Sequence, residues 1–257
     1  METIKKGSNS LDVLSLQCSL GGLTLDGSFG DKTEAAVKSY QESHGLLVDG
    51  IVGPSTWSSL IGSLSRGTIK EEVWKNEASK LGVDPRILKA IHKVETSGTS
   101  YLSSGYPSLL FEAHQFWKYL KAEGKRPEVY QQTHPNILSQ TWNKALYKGG
   151  QGEVGRVGEA WSISPVSALL SASWGAFQIC GFNWSLCGCQ SVQEFYKHMW
   201  TSEEGQLKLL SGFLKGSGIV PAMKKLDFKE IARRYNGEGY AKNQYDKKLE
   251  MAFHSVL

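Results

Sequence analysis

Apolar residues recur at helical spacing along most of the chain, and no convincing run shows the alternation typical of a strand. The clearest helix follows Asp84 and Pro85, which suit an N-cap and a first helical position, and Gly98 marks its expected end. Capping-box patterns at Thr68 and Ser191 indicate two further helix starts. The pattern predicts a mainly α-helical protein, with its remaining helices near residues 33–45, 68–80, 109–117, 140–147, 154–161, 165–171, 191–200, 202–215, 227–235 and 241–254.

Glu95 lies within the apolar arc of the helix that follows Pro85. At roughly 100° per residue it falls between Leu88 and Ile91, so we expect its carboxyl group to point towards the interior. Loss of hydration raises the pKa of a carboxyl group and keeps it protonated near neutral pH, as a general acid requires. The helix alone leaves another role open, because such a glutamate can also cap a neighbouring helix or pair with Arg or Lys.

Residues 8–62 contain the same turn twice, as a hydrophobe, Asp-Gly, two residues, Gly, two residues and Thr. Asp26 belongs to the first copy and Asp49 to the second. Asp-Gly and the later Gly favour a tight loop, and a helix is expected after each copy. The duplication predicts a three-helix unit. A short polar stretch follows it, so we predict a domain at residues 1–62, a linker at 63–69 and a second domain at 70–257.

Composition narrows the class of protein. A hydrophobic content of 40% and an aromatic content of 11% support a packed core. No apolar run is long enough to span a bilayer, and the first residues lack the apolar segment of a signal peptide, so we expect a protein made in a cytoplasm without a stable membrane anchor. The four cysteines lack CxxC spacing and are expected to be reduced thiols.

Charge is divided unevenly along the chain. Residues 1–62 hold four Lys and no Arg against seven acidic residues, whereas the remainder holds 25 basic and 18 acidic residues. A basic surface suits an anionic polymer such as nucleic acid, anionic lipid or an acidic cell-wall glycan. Because the sequence lacks a nucleic-acid recognition motif or a run of Lys and Arg, no nucleic-acid partner is expected.

The duplicated turns belong to a longer motif. It comprises Asp26-Gly27-Ser28-Phe29-Gly30, Thr33, Ala36-Val37, Tyr40-Gln41, Gly45-Leu46, Asp49-Gly50-Ile51-Val52-Gly53-Pro54-Ser55-Thr56-Trp57 and Leu60. This motif closely resembles the peptidoglycan-binding domain found at one end of many cell-wall lytic enzymes. The resemblance implies binding to the wall through a shallow groove near the turns, with Asp26, Asp49 and Trp57 as candidate residues. The two aspartates can also serve simply to build the turns.

Two segments of the second domain interrupt the helical pattern, at residues 173–179 and at Tyr235-Asn236-Gly237. Aromatic and amide side chains commonly line carbohydrate sites. With the Glu95 motif, the order Glu-x-Ser-Gly, Ser-x-Gly-x-x-Gln and Tyr-Asn-Gly resembles that of goose-type lysozymes and soluble lytic transglycosylases. The longer matches at 94–98, 110–116, 171–179, 181–183 and 235–237 resemble the N-acetylmuramidase family of modular phage endolysins, over about residues 75–254.

This second resemblance implies a lysozyme-like helical domain that follows the small one. Glu95 matches the family's catalytic acid, which would protonate the glycosidic oxygen between N-acetylmuramic acid and N-acetylglucosamine. Ser173, Gln178, Tyr235 and Asn236 match positions expected to line the sugar cleft. Glu112 is the candidate second carboxylate, although it can instead form a salt bridge or a hydrogen bond that holds the Glu95 loop. If there is no second acid, attack by the substrate's own hydroxyl would give the 1,6-anhydro product of a lytic transglycosylase.

Other classes of function have weaker support. His92, His114 and His134 lack the spacing of a zinc amidase or peptidase, and Cys180 is a weak candidate for a thiol peptidase. We expect no metal and no cofactor. A wall-binding protein without catalysis also remains open, because binding does not need Glu95. The endolysin resemblance implies a monomer that is stored in the host cytoplasm until a holin releases it, and that then acts on the periplasmic wall.

Overall fold

The computed structural model describes residues 1–95 and 99–256, with Glu238 described by its backbone alone. Thr96, Ser97 and Gly98 lie outside the described residues, and so does the expected helix end at Gly98. Helices dominate the described part, which confirms the mainly α-helical prediction. Three of them form the N-terminal domain, at α1 (Leu11–Leu20), α2 (Asp31–Ser43) and α3 (Pro54–Ser63).

The larger domain packs eleven further helices around a small sheet within the described residues. Short 3-10 helices lie at Lys144–Leu146, Gly181–Asn183 and Glu238–Asn243. The other elements, in chain order, are α4 (Glu71–Leu81), α5 (Pro85–Glu95), β1 (Leu109–Phe111), α6 (Ala113–Ala122), α7 (Pro127–Gln131), α8 (Gln151–Ile163), α9 (Pro165–Leu170), β2 (Ala172–Trp174), β3 (Ile179–Cys180), α10 (Val192–Thr201), α11 (Glu203–Gly216), α12 (Val220–Lys224), α13 (Phe228–Asn236) and α14 (Tyr245–Ser255).

The two Asp-Gly turns of the N-terminal domain are held in the same way. Asp26 accepts hydrogen bonds from the backbone N–H two residues later at 2.8 Å and from Gln17 Nε2 at 2.7 Å. Asp49 accepts the corresponding bonds at 2.8 Å and, from Gln41 Nε2, at 3.0 Å. Each turn is thus fixed to a helix by a buried glutamine, which explains why the sequence repeats both residues.

The sheet corrects one prediction. Residues 109–117 do not form a single helix, because Leu109–Phe111 pairs antiparallel with β2, which pairs in turn with β3. Leu109 and Phe111 face the core while Leu110 is half-buried, so the segment has the alternation of a strand. Only three residues alternate, which is too few to distinguish from a helical pattern in the sequence. Helix α6 begins after Glu112, whose backbone is extended.

Helix boundaries differ from the predictions in several places. The capping box at Thr68 is wrong, since α4 has Lys70 at its N-cap position and no side-chain cap. Ser191 does cap α10, accepting from Glu194 N at 3.1 Å. The region 140–147 holds one 3-10 turn instead of an α-helix, and α7 and α12 were not predicted because each has only five residues.

Helix α1 packs the small domain directly against the larger one. Eight of its ten residues are buried. Ser15 Oγ lies 2.8 Å from Tyr196 Oη of α10, and Ser19 Oγ accepts a hydrogen bond from Trp200 Nε1 at 2.8 Å. In the segment predicted as a linker, the Arg66 guanidinium stacks at 4.4 Å over the Trp200 ring. The domain limits stay a prediction, but the segment between the domains is packed onto the protein.

Candidate active site

Glu95 ends α5, whose apolar face carries four buried residues. Its side chain is half-buried, and its Oε1 accepts a hydrogen bond from Tyr245 Oη at 2.6 Å. Burial raises the pKa of the Glu95 carboxyl group, and the bond from Tyr245 opposes this increase. The inward orientation that the spacing predicted is therefore confirmed, and the group has the surroundings of a general acid.

Two stacked tyrosines lie beside the Glu95 carboxyl group. The rings of Tyr235 and Tyr245 lie 6.0 Å apart at an interplanar angle of 20°. Tyr235 Oη donates a hydrogen bond to the Phe177 carbonyl oxygen at 3.1 Å, and the Phe177 ring lies 5.4 Å from the ring of His92 on α5. Helices α5, α13 and α14 are thereby joined to the segment between β2 and β3.

Of the predicted cleft residues, Ser173 lies in β2 and Gln178 in the turn that follows it. Gln178 has a positive φ of 47°, and its Nε2 donates to the Gly175 carbonyl oxygen at 2.9 Å. The amide therefore stabilises the turn between the two strands. Ser173 Oγ lies 3.2 Å from Cys180 Sγ. The turn could not be a helix, as its sequence indicated, because it reverses the chain between paired strands.

Glu112 lies in a polar cluster. Its Oε2 accepts a hydrogen bond from Tyr147 Oη at 2.7 Å and lies 3.3 Å from His114 Nδ1. The same Tyr147 hydroxyl accepts from Trp142 Nε1 at 2.8 Å. Tyr147 and Trp142 were missed by the sequence analysis, because they lie in an irregular segment about thirty residues further along the chain.

A buried ion pair holds the cluster in place. Arg156 Nη1 donates to Glu153 Oε2 at 2.8 Å, and both side chains are almost fully buried. Glu153 also accepts hydrogen bonds from the backbone N–H groups of Phe111, Lys148 and Gly149. Burial raises the pKa of Glu153, but these bonds and Arg156 lower it by more. The pair thus joins the strand before Glu112 to the segment after Tyr147.

The two carboxylates are connected through the small sheet. Phe111, next to Glu112, pairs with Ala172 of β2, and the next residue of β2 pairs with Cys180 of β3. The turn between β2 and β3 contains Phe177, whose carbonyl oxygen accepts a hydrogen bond from Tyr235. Tyr235 stacks on Tyr245, which donates to Glu95. We name the part of the protein that runs from Glu95 through Tyr235 and Cys180 to Glu112 and Trp142 the Glu95–Glu112 region.

The remaining predicted site residues lie elsewhere. Asn236 is exposed at the end of α13. Trp57 is 4% exposed and donates from Nε1 to the Glu2 carbonyl oxygen at 2.9 Å, so it belongs to the core of the small domain. Asp49 borders a groove of about 170 Å³ whose rim includes the exposed Leu47. Wall binding by Asp26, Asp49 and Trp57 stays a prediction.

The structure gives little support to the other classes of chemistry. Among residues 1–95 and 99–256, no group of three His, Cys, Asp or Glu side chains could hold a metal ion. Burial raises the pKa of Cys180, which disfavours a reactive thiolate. No helix in the described part of the chain combines the length and the apolar character needed to cross a bilayer.

One known structure resembles nearly the whole chain, and other known proteins resemble part of it. The Burkholderia AP3 phage endolysin, seen in a crystal structure, is 34% identical, with a TM-score of 0.68 and coverage of 98% of each chain. An uncharacterised protein of Kitasatospora aureofaciens is 48% identical over 62 residues, or 22% of this chain and 52% of its own length. The zinc D-Ala-D-Ala carboxypeptidase of Streptomyces albus G is 38% identical over 65 residues, 23% of this chain and 26% of that protein. The chain thus spans about half or less of these two relatives.

Family assignments divide the chain as the motifs indicated. Residues 13–60 match the putative peptidoglycan-binding domain, and residues 84–257 match N-acetylmuramidase. The second match covers most of the chain and contains the Glu95–Glu112 region. Both resemblances inferred from the sequence are therefore confirmed. The chain belongs to the N-acetylmuramidase family, as a glycoside hydrolase of the lysozyme type that carries a peptidoglycan-binding domain at its N-terminal end.

Proposed function

We propose that the protein is a phage endolysin that hydrolyses the glycan strand of peptidoglycan between N-acetylmuramic acid and N-acetylglucosamine. The environment of Glu95 supports this chemistry best, because its carboxyl group is half-buried at the end of α5 and has a raised pKa. A protonated carboxyl group next to a glycosidic oxygen supplies the general acid that this bond requires.

The hydrogen bond from Tyr245 to Glu95 Oε1 sets the direction of proton transfer. Because Oε1 already accepts the tyrosine O–H, the acid proton is carried by Oε2. The proton passes to the glycosidic oxygen while the bond from that oxygen to the anomeric carbon breaks, and positive charge develops on the sugar ring. The carboxylate left behind keeps the bond from Tyr245, which stabilises its new charge.

Glu112 is our candidate for the second carboxylate. Hydrogen bonding from Tyr147 to Oε2 fixes its position, and the nearby His114 adds polarity on the same side. Its role would be to stabilise the developing charge of the sugar or to orient the attacking water. The 1,6-anhydro pathway of a lytic transglycosylase would instead need Glu95 alone.

Substrate binding would involve both domains. Ser173, Gln178, Tyr235 and Asn236 are proposed to line the sugar cleft, as the family motifs imply. In the small domain, the groove beside Asp49 is proposed to bind the cell wall. Asp26 holds the other Asp-Gly turn, and Trp57 packs in the core of the domain. Contact between α1 and α10 would then keep the wall-binding and catalytic surfaces in a fixed relation.

We further propose that the protein is a monomer stored in the host cytoplasm. A holin would release it to the periplasmic wall, in keeping with the endolysin to which it is similar. The basic surface of the larger domain would draw it to the anionic wall and to anionic outer-membrane lipids.

Analysis of the released fragments tests the chemistry. Purified peptidoglycan is digested in ¹⁸O-labelled water, and the soluble products are identified by mass spectrometry. Hydrolysis predicts disaccharide-peptides with reducing muramic ends that carry one ¹⁸O atom. Anhydro muramic ends without the ¹⁸O label would indicate that the enzyme is a lytic transglycosylase and does not hydrolyse the bond. Free peptides with an intact glycan would overturn the glycosidase assignment.

A further inference from the structure

Trp142 differs from the other seven tryptophans of the chain. Its side chain is 60% exposed, whereas six of the others are buried and Trp184 is half-buried. A large apolar ring exposed to water is unfavourable unless a partner covers it. Trp142 also lies in the Glu95–Glu112 region, because Tyr147 connects it to Glu112.

The exposed ring is fixed in place. Trp142 Nε1 donates to Tyr147 Oη at 2.8 Å, and the two rings meet edge to face with centroids 6.4 Å apart. Tyr147 donates in turn to Glu112, so two hydrogen bonds link the indole to the Glu112 carboxylate.

The segment that carries Trp142 is itself held on both sides. Before it, Ser139 Oγ donates to the Thr141 carbonyl oxygen at 2.7 Å. After it, Asn143 caps a 3-10 turn, and the buried Glu153 accepts the N–H of Lys148 at 2.6 Å. The ring is therefore presented in a defined orientation before any ligand binds, which lowers the entropic cost of binding.

We propose that Trp142 is a stacking platform for one pyranose ring of the glycan strand, on the Glu112 side of the candidate site. A sugar presents an apolar face of C–H groups that packs on an aromatic ring, while its hydroxyl and acetamido groups need polar partners at the ring edge. The Tyr147 hydroxyl and the Glu112 carboxylate lie at that edge. This inference rests on membership of the N-acetylmuramidase family and is independent of the chemical role of Glu112.

The test compares three variants by steady-state kinetics on soluble glycan strands freed of peptide. Trp142→Ala removes the ring and should raise KM about tenfold, with kcat changed less than threefold, because stacking acts away from the bond that breaks. Trp142→Phe keeps an aromatic face and should recover most of the affinity. Val166→Ala shortens another exposed apolar side chain, 42% exposed, and should leave both constants unchanged.

Binding without turnover separates this proposal from the proposed function. In the Glu95→Gln background, isothermal titration with the same strands should give a Kd about tenfold weaker when Trp142 is also replaced by Ala. An unchanged Kd and KM in Trp142→Ala would overturn the platform, even if the enzyme is a muramidase. A loss in kcat alone would also overturn it, since the ring would then act only by holding Tyr147 and Glu112.

Discussion

Glu95 and Glu112 each accept a hydrogen bond from a tyrosine hydroxyl, at 2.6 and 2.7 Å, yet their surroundings differ. Glu95 lies among stacked aromatic rings at the end of an apolar helix face, and burial raises its pKa. Glu112 lies at the N-cap of α6 beside the His114 imidazole, and hydrogen bonds through Tyr147 connect it to Trp142. The surroundings of Glu95 favour its protonated form, whereas Glu112 lies among polar partners, and glycosidases give two carboxyl groups different roles through such differences.

The largest effect should come from Glu95→Gln. The amide keeps the size of the side chain but cannot deliver a proton, so release of glycan fragments should fall by about 10³-fold. Binding to insoluble peptidoglycan, measured by co-sedimentation, should be unchanged because the small domain is intact.

The matched control for Glu95 is Glu203→Gln, since burial also raises the pKa of Glu203. This variant should keep nearly full activity. Full lysis by the Glu95→Gln variant would contradict a catalytic role for Glu95 and would leave the protein's wall binding as the only role supported for this motif.

Glu112→Gln should have the next largest effect, a decrease in kcat of about 10²-fold if the charge takes part in catalysis. Glu159→Gln provides the control, because Glu159 lies 2.7 Å from His134 in a similar half-buried pair elsewhere in the domain. A decrease below threefold for Glu112→Gln would make Glu112 a positioning residue and would leave Glu95 as the single catalytic carboxyl group.

Glu153→Gln tests how the polar cluster around Glu112 is held in place. The substitution leaves the Arg156 guanidinium buried without its carboxylate, and the free energy of unfolding should fall by about 3 kcal/mol. Chemical denaturation measures the change. The control, Glu230→Gln, weakens a more accessible pairing with Arg233 and Arg234 and should have a much smaller effect. Equal stability of both variants would mean that the buried pair does not organise this region.

Tyr245→Phe should produce the smallest effect, a shift in the pH profile of kcat. Tyr245 lowers the pKa of Glu95 by stabilising its carboxylate, so its removal raises that pKa. A general acid acts only while protonated, and activity is lost as pH rises through its pKa; the alkaline limb should therefore move to higher pH. Tyr147→Phe, which removes the donor to Glu112, should leave this limb in place. A shift in the opposite direction would contradict the assignment of the acid.

The two regions also differ in how far the sequence predicts them. The orientation of Glu95 depends on the spacing of residues within one helix, so it could be predicted from local periodicity. The Glu112 cluster depends on a contact with Tyr147 across an irregular segment, and no local pattern encodes that closure. The strand at Leu109–Phe111 forms only because β2 lies beside it.

One missed feature did have a signal. Glu153 and Arg156 lie three residues apart, and each directly precedes a buried valine, Val154 or Val157. Side chains three apart on a helix are neighbours, so opposite charges at this spacing, each beside an apolar position, indicate an ion pair. Trp142 gave no such signal, because an aromatic residue in an irregular segment is as compatible with burial as with exposure.

Titration of Glu95 itself tests the central claim most directly. Glutamate labelled with ¹³C at the carboxyl carbon is followed by NMR over a range of pH, and the Glu95 signal is assigned by its absence from Glu95→Gln. We predict a midpoint clearly above about 4.3, the ordinary value for glutamate. A midpoint at or below that value would mean that the site does not favour the protonated form of Glu95, and it would contradict the role of Glu95 as the general acid.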